Sequence, residues 1–332
     1  MSNELSPKLS AMMATAEPVT AERWRRGQVE VESASAAVTR GSQEPPQVPL
    51  TDTLAGVWMS GDVTILYAYT NMGKSILATQ LADEAGRKGH KVIYCDFEMK
   101  ARTFADRYSD ERTEEKAELH FLRLTRNLRG LDTASITESG LLTDIASAML
   151  QYGATVLVVD NLSYVCADAE KGQVAAEFLH RLQDMSTEHG WSILVIAHTP
   201  KRDRVRELRL SDLAGSQHLG NFCDAAFAIG AVRGSDEVYI KQTKSRRQYV
   251  YDENNVAVFR IVKDGAMLRF QWQRTDCEST LIADDWQREQ AQQRNDFIDQ
   301  VRESRREGKT IRETATALGV SSSKVQRALN HV

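Results

Sequence analysis

The sequence predicts an α/β protein: a mainly parallel sheet extended by antiparallel hairpins, with a small all-α unit at the C-terminal end. Between residues 63 and 197, short apolar runs typical of strands buried on both faces alternate with stretches of helical periodicity. Beyond residue 224 the strands become short and closely spaced, with turn residues between them. From residue 294 onward only helical spacing remains.

Taken in order, residues 1–48 are rich in Ala, Ser, Thr, Glu and Pro and show no sustained period, which predicts a disordered or loosely docked arm. Its one local feature is Trp24 among Arg23, Arg25 and Arg26, either a docking element or a solvated patch. The main domain is expected over 49–275. Val63–Ala68 is its first buried strand, and Ile76, Leu77, Leu81 and Ala85 recur at helical spacing between Ser75 and Arg87. Further strands are expected at Lys91–Cys95, Leu119–Leu124, Thr155–Val159 and Ser192–Ala197, with an amphipathic helix over Val174–Glu188. The hairpin strands are Ala226–Ile229, Glu237–Thr243, Val256–Ile261 and Met267–Trp272, with turn signals at Asn254-Asn255 and Asp264-Gly265. Residues 276–293, polar and Gln-rich, are expected to be a linker or a solvated helix, and 294–332 a separate helical unit.

No run approaches the roughly eighteen apolar residues of a membrane-spanning helix. The start, MSNELSPKLSAMM, lacks the charged and apolar regions of a secretory signal. Cys95, Cys166, Cys223 and Cys277 are too scattered for a zinc site and fit a reducing, cytoplasmic setting. The net charge of −4 does not by itself point to nucleic acid. Its distribution says more: residues 294–332 hold eight Lys/Arg against five Asp/Glu, a basic tip of +3 on a body of −7.

The turn between the first strand and the first helix reads Ala68-Tyr-Thr70-Asn71-Met72-Gly73-Lys74-Ser75, close to the phosphate-loop pattern G-x-x-x-x-G-K-[ST]. Such a loop wraps phosphates with backbone N–H groups at a helix N-terminus, where the helix dipole also favours anions. Lys74 is then expected to reach the β- and γ-phosphates of ATP and Ser75 to hold Mg²⁺. Ala68 stands where the pattern has its first glycine. A second requirement, a carboxylate ending another buried strand to hold the metal, is met by Asp160. Asn161 follows it, so the group that activates water is sought elsewhere.

With these residues in place, the chain resembles the RecA-like P-loop ATPases, including the DnaB-type replicative helicases and the plasmid RepA helicases, over about residues 50–272. The resemblance implies that Glu98, ending the strand beside the phosphate-loop strand, is the catalytic base, and that His198, ending Ile193–Ala197, senses the γ-phosphate. It likens Leu210–Ser216 and Asn221–Ala228 to the stretch after a DNA-facing loop. It makes Tyr239–Arg246 a K-x-R element whose cation reaches a neighbouring subunit's ATP. Lys244 and Arg246 are the candidates, though Lys241 and Arg247 crowd beside them. A homo-oligomer, possibly a hexameric ring, follows from that implication.

Two regions point to DNA. Lys201, Arg202, Arg204, Arg206 and Arg209 put five cations against two acids directly after His198, where the family lines its channel for single-stranded DNA. Gly308–Leu329 looks like a helix-turn-helix. Ile311, Ala315 and Leu318 form one helix face, Gly319 the turn, Val320 a plug and Ser321 an N-cap; Val325 and Leu329 face inward from the second helix. Phe297 and Val301 are expected to supply a third helix. That leaves Ser322, Ser323, Lys324, Gln326 and Arg327 for a duplex major groove. A helical pair used for protein contact fits the same pattern.

The leading expectation is a DNA-dependent ATPase of replication or of plasmid or mobile-element maintenance. An ATP-controlled DNA-binding regulator or loader that separates no strands is the alternative, and Ala68 leaves open a nucleotide-binding module with little turnover.

Overall fold

The computed structural model describes residues 24–26, 29–31, 33–126, 138–162, 173–200, 205–213 and 219–329. The chain divides into two compact units, 1–47 and 48–332. In the first, β1 (Trp24–Arg26) pairs antiparallel with β2 (Val29–Val31), and helix α1 spans Ala34–Gln43. Ser33 caps α1, its hydroxyl accepting from the Ala36 N–H at 3.1 Å. No element is expected here from the sequence; α1 buries none of its residues.

The second unit is built on nine strands: β3 (Val63–Ala68), β4 (Val92–Asp96), β5 (Leu122–Leu124), β6 (Val156–Asp160), β7 (Ser192–His198), β8 (Ala225–Ala231), β9 (Glu237–Ser245), β10 (Val256–Asp264) and β11 (Met267–Asp276). The helices are α2 (Lys74–Arg87), α3 (Ala101–Arg107), α4 (Glu138–Tyr152), α5 (Gln173–His189), α6 (Glu278–Ile282), α7 (Asp285–Arg306), α8 (Ile311–Ala317) and α9 (Ser322–Leu329). The sheet order is β11-β10-β9-β8-β3-β7-β6-β4-β5. From β5 to β8 all neighbours are parallel; from β8 outward they are antiparallel.

Two expectations change. The strand ending at Asp96 does not lie beside the phosphate-loop strand: β7 and β6, later in the chain, insert between β3 and β4. The 225–231 strand is the last parallel member of the sheet, paired with β3, as well as the first partner of the hairpins.

The core lies on both faces of the sheet, as alternation along β3 requires. Val63, Ile65 and Tyr67 pack with Leu142, Ile145 and Met149 of α4 and Phe178 and Leu182 of α5. Leu66 and Ala68 pack on the other face with Leu77, Ala78, Leu81 and Ala85 of α2 and with Leu50, Leu54 and Trp58. Helix α4 is absent from the sequence reading, although Leu142, Ile145 and Met149 carry the i, i+3, i+7 spacing that marks it.

Residues 276–293, expected as a linker or solvated helix, hold the end of β11, all of α6 and the first part of α7. The anticipated boundary at 293/294 therefore falls inside a helix. Val301, Ala315, Val325 and Ala328 form a separate small core shared by α7, α8 and α9, with Phe297, Ile311, Leu318, Val320 and Leu329 partly buried around it. Thr310 caps α8 reciprocally with Glu313, and Gly319 turns the chain at φ 64°. Cys95 and Cys223 are buried free thiols; Cys277 is partly exposed, and Cys166 lies outside the described residues. Among the described residues no helix is long and apolar enough to cross a membrane.

Gly86 lies inside α2 where a helix favours alanine. A Cβ built there would stand 1.8 Å from the backbone oxygen of His120. Gly86→Ala is therefore expected to destabilise by about 1–3 kcal/mol or more, reversing the usual sign of a helical Gly→Ala change. Thermal unfolding measures it, and an unchanged midpoint would show that the contact gives way freely.

Candidate nucleotide site

The carboxyl ends of β3, β7, β6 and β4 meet at one edge of the sheet, where open α/β sheets place their ligands. Register aligns them: Ala68 lies beside His198 and Asp96 beside Asp160. A cavity of ≈ 310 Å³ opens there, lined by Thr70, Asn71, Met72, Gly73, Lys74, Ser75, Glu98, Asp160 and His198, and also by Ile76, Arg107 and Ile261.

The loop is shaped by two left-handed residues, Asn71 at φ 63° and Gly73 at φ 84°. Asn tolerates that region and Gly73 directly precedes the helix. At Gly73 a Cβ would also fall 2.7 Å from the tip of the Ile261 side chain of β10, which adds crowding to the left-handed backbone that already favours glycine. Ala68 is different. It ends β3 in extended pairing with both neighbours, 1% exposed, and is not among the positive-φ residues. Replacing the pattern's first glycine there costs no backbone strain.

The Lys74 ammonium is buried and folds back on its own loop, donating to the carbonyls of Ala68 at 3.0 Å and Tyr69 at 3.1 Å. Burial lowers its pKa to about 8, against the opposing charges of Asp160 and Glu98. Asp160 is 1% exposed. Burial raises its carboxyl to about 6; the Tyr94 hydrogen bond and the nearby Ser75 hydroxyl pull it down, while Asp96 and Glu98 push it up. Its Oδ2 accepts from the Tyr94 hydroxyl at 2.7 Å, and its Oδ1 has no hydrogen-bond partner among the described residues. Tyr94, fully buried and held protonated, can only donate to it.

An orphaned buried carboxylate oxygen near a serine hydroxyl is a hard-oxygen donor set that suits Mg²⁺. Among the described residues no three His, Cys, Asp or Glu side chains are placed to hold a metal ion by themselves.

Three strand ends are joined by one side chain. Asn161 Nδ2 donates to a Glu98 carboxylate oxygen and lies 3.1 Å from His198 Nε2. Burial and the Lys74 charge hold His198 below its ordinary pKa, so at neutral pH it is an uncharged imidazole. Glu98 is presented by a turn fixed through Asp96, whose Oδ1 accepts from Met99 N–H at 2.8 Å and whose Oδ2 takes Arg123 at 2.9 and 2.7 Å. Asp96 is thereby occupied in building the turn. From sequence, Asn161 is named only as not being the base and Arg107 is not named; adjacency to Asp160 marks the place of Asn161 but not its bridge to Glu98 and His198.

The remaining candidates lie elsewhere. The β9 end carrying Lys244 and Arg246 is level with the start of β8, at the opposite edge of the sheet from the loop. Neither lines the cavity. Lys244 Nζ donates to the carbonyls of Gly220 and Cys223, and Arg246 pairs with Asp224 at 2.9 Å. Lys241 is buried on Glu278 at 2.6 Å, and Arg247 pairs with Asp62 at 2.5 Å. Glu278 also accepts from Leu208 N–H and the Tyr239 hydroxyl, tying the 205–213 segment to β9 and α6. Within that segment Arg206 pairs with Asp212 at 2.5 Å and Arg209 with Glu207 at 2.7 Å. Lys201, Arg202 and Arg204 lie outside the described residues, as does part of the Leu210–Ser216 stretch. On α9, Ser322, Ser323, Lys324, Gln326 and Arg327 are all exposed. Lys324 Nζ sits 4.9 Å from the Phe297 ring centroid.

Compared with known proteins, residues 28–204 match the family model described as AAA domain. No curated protein matches the chain.

Lys74 gives a pH dependence whose sign is fixed. Its ammonium is present below about pH 8 and lost above it. Nucleoside triphosphate affinity should therefore fall as pH rises from roughly 7 to 9, by at most about tenfold per unit. Lys74→Arg, which does not titrate in that range, should flatten the curve. Calorimetric titration across the range measures both, and a flat wild-type profile would overturn the assignment.

Proposed function

The chain belongs to the AAA-domain family of P-loop ATPases, and from that premise we propose that it is an ATP-hydrolysing, DNA-binding motor resembling the RepA-type replicative helicases, serving replication or maintenance of a plasmid or mobile element. The observation that carries the ATPase half is the Glu98–Asn161–His198 chain opening on the same cavity as Lys74, Ser75 and Asp160. It supplies a carboxylate for water beside a group able to sense phosphate.

In this reading Lys74 binds the β- and γ-phosphates, and Ser75 and Asp160 hold Mg²⁺, which would neutralise charge on the phosphates. Glu98 orients the attacking water and takes its proton, with Asn161 fixing the carboxylate and His198 the direction of approach. Thr70, Asn71, Met72 and Gly73 offer backbone N–H groups to the phosphates. Lys244 or Arg246 serves a neighbouring subunit's nucleotide; their place at the far edge of the sheet supports action in trans over action in cis.

For DNA, the small core of α7, α8 and α9 with its exposed polar and basic α9 face supports a helix-turn-helix set on a major groove. Arg206 and Arg209, already paired with carboxylates, are weaker candidates for phosphate than Lys201, Arg202 and Arg204.

Glu98→Gln is expected to reduce turnover by about 100-fold or more while ATP still binds. Unchanged hydrolysis would remove Glu98 as the base. Deleting residues 285–332 should abolish site-specific duplex binding and spare basal ATPase activity; losing both would sink the modular reading. ATPase assays with and without single-stranded DNA, alongside sizing and forked-duplex unwinding, separate the motor from a loader: stimulation without unwinding favours the loader.

A further inference from the structure

We propose that Arg107 is a second cation for the polyphosphate, acting within the same chain as Lys74 and contacting the terminal phosphate of a nucleoside triphosphate. This rests on the reading of the cavity as a nucleotide site.

Arg107 ends α3 and lines the phosphate-loop cavity together with Lys74, Ser75 and Glu98. It also lines an adjoining cavity whose walls include Ser75, Glu98 and Thr103, so its side chain stands between the two openings. The other arginines around this turn are taken. Arg123 is held by Asp96, and Arg102 pairs with Asp106 at 2.8 Å and Glu111 at 3.1 Å. No carboxylate pairs with the Arg107 guanidinium among the described residues.

Its backbone, in contrast, is fixed from both sides. Phe104 packs on Tyr108 with ring centroids 4.8 Å apart, and the Arg123 guanidinium lies 4.5 Å from the centre of the Phe104 ring. From β10, Lys263 Nζ reaches the carbonyls of Asp106 at 3.3 Å and Arg107 at 2.6 Å. Arg107 on its anchored stem and the buried Lys74 thus give the one cavity two cations, alongside the carboxylates of Glu98 and Asp160 that a metal ion and water would engage. The planar guanidinium fork matches two phosphate oxygens, a geometry the Lys74 ammonium cannot supply.

The test uses the full chain and its Arg107→Ala variant, with MgATP and MgADP titrated against each. Loss of a charge-assisted contact to the terminal phosphate predicts ATP affinity reduced by about 10- to 100-fold and ADP affinity by less than about threefold. Arg107→Lys should recover part of the ATP affinity. If Arg107→Ala does not fold, Arg107→Gln, which keeps length and polarity without charge, takes its place. Wild-type ATP affinity in the charge-free variant, or equal loss for ATP and ADP, would overturn the proposal. It would fall alone if Lys74→Ala still abolished binding; a wild-type chain that binds no ATP would instead defeat the nucleotide reading.

Discussion

The Asp160 carboxylate sits among four strand ends with one oxygen held and the other bare. Charge this deeply buried is unfavourable unless something compensates it, and the protein compensates only in part. Tyr94 reaches Oδ2 from the neighbouring strand and fixes the orientation of the group. Oδ1 has no hydrogen-bond partner among the described residues. The surrounding groups follow from that choice. Lys74 lies close enough for the carboxylate to oppose the loss of its proton, and Asn161, one residue further on, carries the ordering across to Glu98 and His198. With Asp160 titrating near 6 and Lys74 near 8, both are charged in the window between.

The sheet distributes chemistry to its two edges. Parallel strands bring their carboxyl ends together, so loop, carboxylates and imidazole share one side. The antiparallel extension reverses direction at β9 and sends its cations to the other side. Within this chain those groups are separated by the length of the strands.

How much of this was legible in the sequence depended on whether the signal was local. Lys74 and Ser75 are readable because spacing along one strand and turn fixes them, and Asp160 because it closes an apolar run. Glu98 was readable through family resemblance, yet its strand was expected next to β3, because strand order depends on crossovers that no single segment encodes. The Asn161 bridge was illegible for the same reason, since it joins the ends of three strands far apart in sequence. The pairing of Lys241 with Glu278 could not be seen either: a basic run reads as solvated until burial is known. On α9 the pattern sufficed, since Val325 inside and its polar neighbours outside follow from helical period alone.

One contact of α2 has a mechanical meaning. Gln80 bonds the backbone of Phe270 in both directions, accepting from its N–H at 2.8 Å and donating to its carbonyl at 3.3 Å. A side-chain amide thus stands in for an adjacent strand along the last strand of the sheet, an edge otherwise open to pairing with foreign chains. The same contact clamps the hairpin to the helix that begins at Lys74, while Ile261 and Phe270 crowd Gly73 from the hairpin's own side. The helix that begins at Lys74 and the outermost hairpin are therefore held to each other at two places, through Gln80 and beside Gly73.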